Sequence, residues 1–186
     1  MKPGNAVGII ELASLHKGFE VLDSILTSTA VEKLLARTIC SGKYVIIVRG
    51  EVADVETAIS IAEETGGFAI VSALAIPSVE EKIFPAVSGT TTLDSPKVGA
   101  IAVIEAFSVA AAIKAADFAA KEADITILRI HVAMAIGGKG LVVLSGDIEA
   151  IQSAVPPAVE FIGQEGMLAG YSIITDPHED VLRDML

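Results

Sequence analysis

Apolar stretches of strand length alternate with amphipathic stretches of helix length along the first half of the chain. Val7–Leu12 is almost continuously apolar, which predicts a buried strand. The next segment repeats apolar residues at helical spacing, which predicts a helix with one apolar face. The residues that carry this spacing are Phe19, Leu22, Ile25 and Leu26.

A β-hairpin is predicted to follow this helix. Lys33–Ile39 and Tyr44–Val48 have strand character, and only Cys40–Lys43 separates them. So short a connection requires a tight turn, in which Gly42 can adopt backbone angles that other residues avoid.

A second helix and a last strand complete the first half. Gly50 leads into the helix, and Phe68–Ala75 has the character of a strand. The helical residues predicted to face inward are Val52, Val55, Ile59 and Ala62.

The second half of the chain repeats the first. Residues 6–64 reappear, diverged, between residues 101 and 160, and such an internal duplication usually preserves the fold. The clearest matches are Glu11 with Glu105, Ser14 with Ser108, Gly42 with Gly138, Lys43 with Lys139 and Gly50 with Gly146.

Each copy is therefore predicted to form a βαββαβ unit with a short tail, the ferredoxin-like order of an α+β fold with its helices on one face. Met167–Ile174 supplies the last strand of the second copy. Because residues 88–97 are polar and contain Ser, Thr and Pro, we predict a first domain at 1–88, a linker at 89–97 and a second domain at 98–186. Pro156 and Pro157 fall inside a predicted helix and indicate a kink or an early end there.

The two copies differ chemically at one turn. The chain's single cysteine, Cys40, opens the turn Cys40-Ser41-Gly42 of the first copy, whereas the equivalent turn of the second reads Ile136-Gly137-Gly138. From the residues alone, Cys40 could be an inert thiol that packs as a small hydrophobic residue, or a ligand.

Composition excludes several classes of function. The formal net charge is −11 and no cluster of Lys and Arg is visible, so neither nucleic acid nor an anionic membrane is an expected partner. One cysteine excludes an internal disulfide and fits a reducing cytoplasm. No signal peptide or membrane span is predicted, and no set of residues suggests catalysis, so we do not expect an enzyme.

The order of these elements, with a Gly-Lys turn and the sequence V-R-G-E-V at Val48–Val52, resembles the bacterial microcompartment shell domain. The L-S-G-D-I of Leu144–Ile148 and the Pro177-His178 pair fit the same pattern, and the order is unpermuted. Two such domains in one chain are similar to the tandem-domain class of shell protein. That resemblance implies a homotrimer that imitates a hexamer, contacts other shell proteins at its edges and lies in a microcompartment of the bacterial cytoplasm.

Thr38–Tyr44 and Arg129–Lys139 further resemble the T-type subunits of propanediol-utilisation shells. Those subunits are understood to hold an iron–sulfur cluster in a central pore. The resemblance implies that one [4Fe–4S] cluster per trimer is bound by Cys40 of three chains, for electron transfer or cluster transport, with encapsulated redox enzymes as partners. The pore-lining residues that it implies are Cys40, Ser41, Gly42, Ile136, Gly137 and Gly138.

The same family pattern implies edge contacts for Lys121 and Arg49, whose equivalents in the other copy are Thr27 and Ser145. Lys43 and Lys139 could form a charged collar, although a solvated turn residue is the simpler interpretation. Structural roles are also expected for four other polar residues. Glu11 and Glu105 would accept backbone hydrogen bonds, and His131 and His178 would be hydrogen-bonded groups. For His131, an alternative is a titrating group that faces the pore.

Two other classes of function stay open. One is a metabolite pore in which Cys40 is a bystander. The other is a ferredoxin-like small-molecule sensor or enzyme, against which the absence of a phosphate loop and of a nucleophile–base pair argues.

Overall fold

The computed structural model describes residues 4–91, 99–132 and 136–185. The chain divides into two compact units, the first ending at Val79 and the second beginning at Glu80. Most of the predicted linker, at residues 92–97, lies outside the described residues.

The first unit is a four-stranded antiparallel sheet with two helices packed against it. Its strands are β1 (Ala6–Leu12), β2 (Glu32–Ile39), β3 (Lys43–Gly50) and β4 (Ile70–Ile76), and its helices are α1 (Leu15–Ser28) and α2 (Val52–Gly66). The strand order is β2-β3-β1-β4. All seven residues of the central strand β1 are buried, which explains why its residues other than Glu11 are apolar or glycine rather than alternating with polar ones.

The second unit repeats this architecture behind an additional short helix. Its helices are α3 (Ile83–Ser88), α4 (Val109–Glu122), α5 (Ile148–Gln164) and α6 (Glu179–Met185), and its strands are β5 (Ala100–Ala106), β6 (Thr126–Val132), β7 (Gly140–Gly146) and β8 (Leu168–Thr175). The strand order is β6-β7-β5-β8, again antiparallel. The predicted α+β fold of two tandem units is confirmed. The helix α3 packs against β6 and α4 of this unit.

Three details differ from the sequence-based expectation. Phe19 and Leu26 carry the helical spacing of α1 but are 61% and 41% exposed in the single chain, while Val21 and Ile25 are buried. The early end expected at Pro156-Pro157 is wrong, since α5 continues to Gln164. Phe68 is fully exposed and lies in a 3₁₀ turn rather than in a strand.

The close packing of α1 on β3 depends on a residue without a side chain. A Cβ atom at Gly18 would lie 2.5 Å from ring carbons of Tyr44. Phe19 packs on the same ring, with the centroids 5.1 Å apart. Burial raises the pKa of the Tyr44 phenol.

At the equivalent contact of the second unit, the strand carries the glycine and the helix carries the larger residue. Ala112 replaces Gly18 on the helix, and Gly140 replaces Tyr44 on the strand, where an added Cβ would lie 2.5 Å from the Ala112 methyl group. In each copy, these helix and strand positions fill one shared volume. The strand residue Tyr44 fills it in the first copy, and the helix residue Ala112 fills it in the second.

We predict that Gly18→Ala destabilises the protein by about 1–3 kcal/mol, because the new methyl group overlaps the Tyr44 ring. In a Tyr44→Gly background the same substitution should cost less, since the overlapping ring carbons and the Cβ atom of Tyr44 are gone. Chemical denaturation of the native protein, the two single variants and the double variant measures both costs. Equal costs in the two backgrounds would show that the overlap is not what excludes a side chain at position 18.

Candidate functional site

The hairpin turn between β2 and β3 presents the only cysteine of the chain. Residues Cys40–Gly42 form a single 3₁₀ turn, and Cys40 is half-exposed. Gly42 has φ +70°, and a Cβ there would meet no atom within 4 Å. The turn therefore leaves open space beside the cysteine while its backbone follows a path that favours glycine.

The equivalent turn of the second copy uses glycine twice. Gly137 and Gly138 have φ values of +67° and +85°, and the N–H of Lys139 donates to the carbonyl of Ile136 at 3.3 Å. Residues 133–135, which precede this turn in the predicted motif, lie outside the described residues. The turn offers backbone and one aliphatic side chain where the first copy offers a thiol.

A lysine directly after each turn pairs with a glutamate near the end of the central strand. The Nζ atom of Lys43 lies 3.9 Å from a carboxylate oxygen of Glu11, and that of Lys139 lies 3.0 Å from one of Glu105. Both lysines also remain accessible to solvent, with 33% of the Lys43 side chain and 41% of the Lys139 side chain exposed. The two glutamates were expected to accept backbone hydrogen bonds. The structure adds an ion pair with a lysine for each of them.

The two ion pairs differ in their exposure to solvent. The Glu11 side chain is 7% exposed, whereas that of Glu105 is 49% exposed. Glu105 and Lys139 line a cavity of about 340 Å³ together with Ile136 and Leu141. The second turn therefore stands beside a small cavity with a charged pair in its wall, while the first pair is withdrawn into the domain.

Repetition was the sequence signal for these pairs. Glu11 and Lys43 are far apart in sequence, so neither suggests the other. Both residues nevertheless recur at the equivalent positions Glu105 and Lys139, and the ladder that aligns β1 with β3 is repeated between β5 and β7.

The residues predicted to form edge contacts make intrachain interactions. Lys121 Nζ donates to the buried carboxylate of Asp117 at 2.6 Å, and Arg49 Nε donates to the carbonyl of Gly4 at 2.7 Å. These contacts engage the terminal amine of Lys121 and the guanidinium Nε of Arg49, and the role of both residues at an edge stays a prediction.

The two histidines considered above, His131 and His178, lie far from the cysteine turn in sequence. The Nδ1 atom of His178 accepts the N–H of Asp180 at 3.2 Å at the start of α6, as expected for a structural residue. His131 lies half-buried on β6.

The described residues of one chain do not by themselves form a metal centre. Within the described ranges, no three His, Cys, Asp or Glu side chains are close enough together to hold a metal ion. An iron–sulfur cluster is normally held by cysteine thiolates, and this chain supplies one. A half-exposed thiol on a turn that projects from the sheet fits such a ligand set only if several copies contribute their Cys40.

Comparison with known proteins identifies the family. The BMC domain profile matches residues 6–79 and again residues 100–177, so that each copy contains one domain. The bacterial microcompartment shell protein PduT of Citrobacter freundii is 39% identical over 181 residues, which cover 97% of both chains. The chain belongs to the family of bacterial microcompartment shell proteins. The resemblance found in the sequence is thereby confirmed.

Solved structures agree with this family assignment. A crystal structure of a microcompartment protein from Desulfitobacterium hafniense DCB superposes with a TM-score of 0.92 at 32% identity, covering 96% of this chain and 98% of that one. A fused permuted hexameric shell protein, MSM0275 from the RMM microcompartment, shares the fold alone, with a TM-score of 0.58 at 23% identity over 85% and 81% of the two chains.

As a member of this family the chain is a structural shell protein. None of the helices in the described ranges combines the length and the hydrophobicity that crossing a bilayer requires.

We predict that Glu11→Ala destabilises the protein by about 2–3 kcal/mol, because it leaves Lys43 beside a largely buried site without its counter-charge. Glu105→Ala is the matched control and should cost less than about 1 kcal/mol, since both partners of that pair are well exposed. Urea denaturation of each variant measures these costs. A larger cost for Glu105→Ala than for Glu11→Ala would contradict the conclusion that the pair of Glu11 and Lys43 is the more buried of the two.

Proposed function

We propose that three copies of this shell protein assemble around a threefold axis, with their six domains forming one flat tile and the two kinds of hairpin turn alternating around a central pore. The tandem arrangement of two family domains supports this arrangement. A closed ring of identical chains brings equivalent residues to its axis. Three Cys40 thiols and three glycine turns then surround the opening.

Within this tile, Cys40 of three chains holds one [4Fe–4S] cluster, which would supply one-electron transfer when bound. The observation that carries this proposal is the position of the only cysteine, half-exposed on a turn that the other copy builds without one. The tile would pass electrons across the shell, or deliver clusters, to encapsulated redox enzymes.

The surrounding residues have defined tasks in this proposal. The ion pair of Lys43 with Glu11 holds the strand end from which the cysteine turn projects. Gly137 and Gly138 have no side chains, so their backbone N–H groups can approach the cluster closely and tune its potential. Each turn lysine is balanced by a glutamate, so the pore mouth gains no net positive charge from these residues.

A second candidate is a pore for small polar molecules, without a cluster. The cavity beside the second turn favours it, because apolar walls from Ile136 and Leu141 meet a solvent-exposed ion pair there. In that case Cys40 is a bystander and the protein is colourless.

Absorption spectroscopy of anaerobically purified protein separates these candidates. We predict a broad band at about 400 nm, as thiolate-held iron–sulfur centres show, with four iron atoms for every three chains. Cys40→Ala should abolish both the band and the iron, while Ile136→Ala, at the equivalent position of the second turn, should retain them.

Reconstitution with iron and sulfide gives the decisive negative result. If neither the native protein nor Ile136→Ala acquires the band after reconstitution, the cluster is absent and the metabolite pore is the better account. A band that persists in Cys40→Ala would contradict the assigned ligand.

A further inference from the structure

A groove in the second unit lies between the helix α5 and the strand β8. It encloses a cavity of about 470 Å³, within the size range of ligand-binding clefts. Pro156 and Val159 of α5 and Leu168 and Tyr171 of β8 supply its apolar walls. The Tyr171 side chain is 49% exposed, so its ring is accessible to a partner.

The first copy is polar or small at the same places. The counterparts are Ser60 for Pro156, Glu63 for Val159 and Ala73 for Tyr171. The first copy nevertheless forms the same sheet with the same two packed helices. The apolar groove is therefore a property of the second copy and not a requirement of the fold, and solvent-accessible apolar surface of this kind is typical of an interaction site.

One wall of the groove is an edge strand that is open for pairing. Among the described strands, β8 pairs with β5 alone. Natural sheets protect their edges with charged residues, with proline or with a covering helix. The opposite edge strand β6 is protected in this way, since it carries Arg129 and α3 packs on it. β8 contains no charged residue and no proline, so its outer backbone groups are available to another strand.

The charge of the groove is negative. Glu160 lies at its rim, and neither α5 nor β8 contains Lys, Arg or His. In the described part of the chain no cation pairs with the Glu160 carboxylate, which accepts the Gln164 amide at 3.5 Å. A partner that brings a positive charge to this rim would complement it.

The arrangement of strand and helix favours an extended partner. A strand added to β8 would place alternate side chains on the side of α5, against the apolar walls. Its backbone would at the same time bond to the edge of β8, which is how β-strand addition gains affinity. A helix in the groove would leave those backbone groups of β8 without a partner.

We propose that the groove between α5 and β8 binds an extended segment of a different protein by β-strand addition. The segment alternates apolar residues and carries Lys or Arg opposite Glu160. Pairing of β8 with β8 of another copy would bring no cation to this rim, because β8 has none. The proposal involves neither Cys40 nor the threefold assembly and is independent of the proposed function.

Selection from a random peptide library tests the groove without assuming a sequence. Peptides of eight residues, the length of β8, are selected on the native protein. They are counter-selected on Val159→Glu combined with Tyr171→Ala, which introduces the residues of the first copy. The enriched peptides should alternate apolar residues and contain Lys or Arg. No enrichment over the variant, or enriched peptides with helical spacing or without basic residues, overturns the proposal.

The affinity of an enriched peptide, measured by fluorescence anisotropy, tests the individual residues. Val159→Glu should weaken binding about tenfold or more, because it places a carboxylate against apolar side chains. Glu160→Gln should weaken binding about threefold, as expected for an exposed ion pair. Glu64→Gln, at the equivalent position of the first copy, is the matched control and should bind like the native protein. Equal binding by native protein and folded Val159→Glu, judged by circular dichroism, contradicts the assigned groove.

Amide hydrogen exchange shows which strand the peptide pairs with. Bound peptide should slow exchange in residues 168–175 and leave residues 70–76 of β4 unchanged. Successive N–H groups of a strand point to opposite sides. Of two peptides that are N-methylated at odd or at even residues, one should therefore bind like the parent and the other should not. Unchanged exchange in β8, whether nothing binds or another copy already covers the edge, overturns the proposal.

Discussion

The register between the central strand and the strand after the turn determines where each functional residue lies. β1 pairs with β3 so that Glu11 is opposite Val45 and Leu12 is opposite Tyr44. This alignment brings Glu11 within reach of Lys43 and places Tyr44 under α1, against Gly18. A slip of one residue would turn every side chain of β3 to the other face of the sheet. The cysteine turn connects β2 to β3 and takes its position from this register.

The second copy keeps this strand register but differs in the exposure of its ion pair and in the residues of its turn. β5 and β7 keep the register, and the pair of Glu105 and Lys139 recurs, but the pair is exposed and lines a cavity. The turn has exchanged a cysteine for aliphatic and glycine residues. One copy is thus suited to supply a ligand and the other to supply backbone. In the interior, by contrast, a change on the helix is matched by a change on the strand that it contacts. Gly18 faces Tyr44 in the first copy, and Ala112 faces Gly140 in the second.

Local pattern and repetition predicted most of the fold from sequence, because buried strands and amphipathic helices leave strong periodic signals. Periodicity failed where it could not say which apolar residues the single chain buries. Phe19 has helical spacing and is exposed, whereas its counterpart Ile113 is buried in the second unit, where the short helix α3 packs on α4. A kink or an early end was expected at Pro156 and Pro157, and the early end does not occur. The helix continues to Gln164, since packing of α5 against its sheet and α4 outweighs the lost donors. The ion pairs depend on strand register, which no local window contains.

The central claim is that the functional site belongs to an assembly of three chains and not to one. Native mass spectrometry of anaerobically purified protein tests it most directly. The account predicts a species with the mass of three chains plus one iron–sulfur cluster, and loss of the cluster mass alone in Cys40→Ala. A monomer, or an assembly of three chains that carries no cluster mass after anaerobic reconstitution, would contradict it.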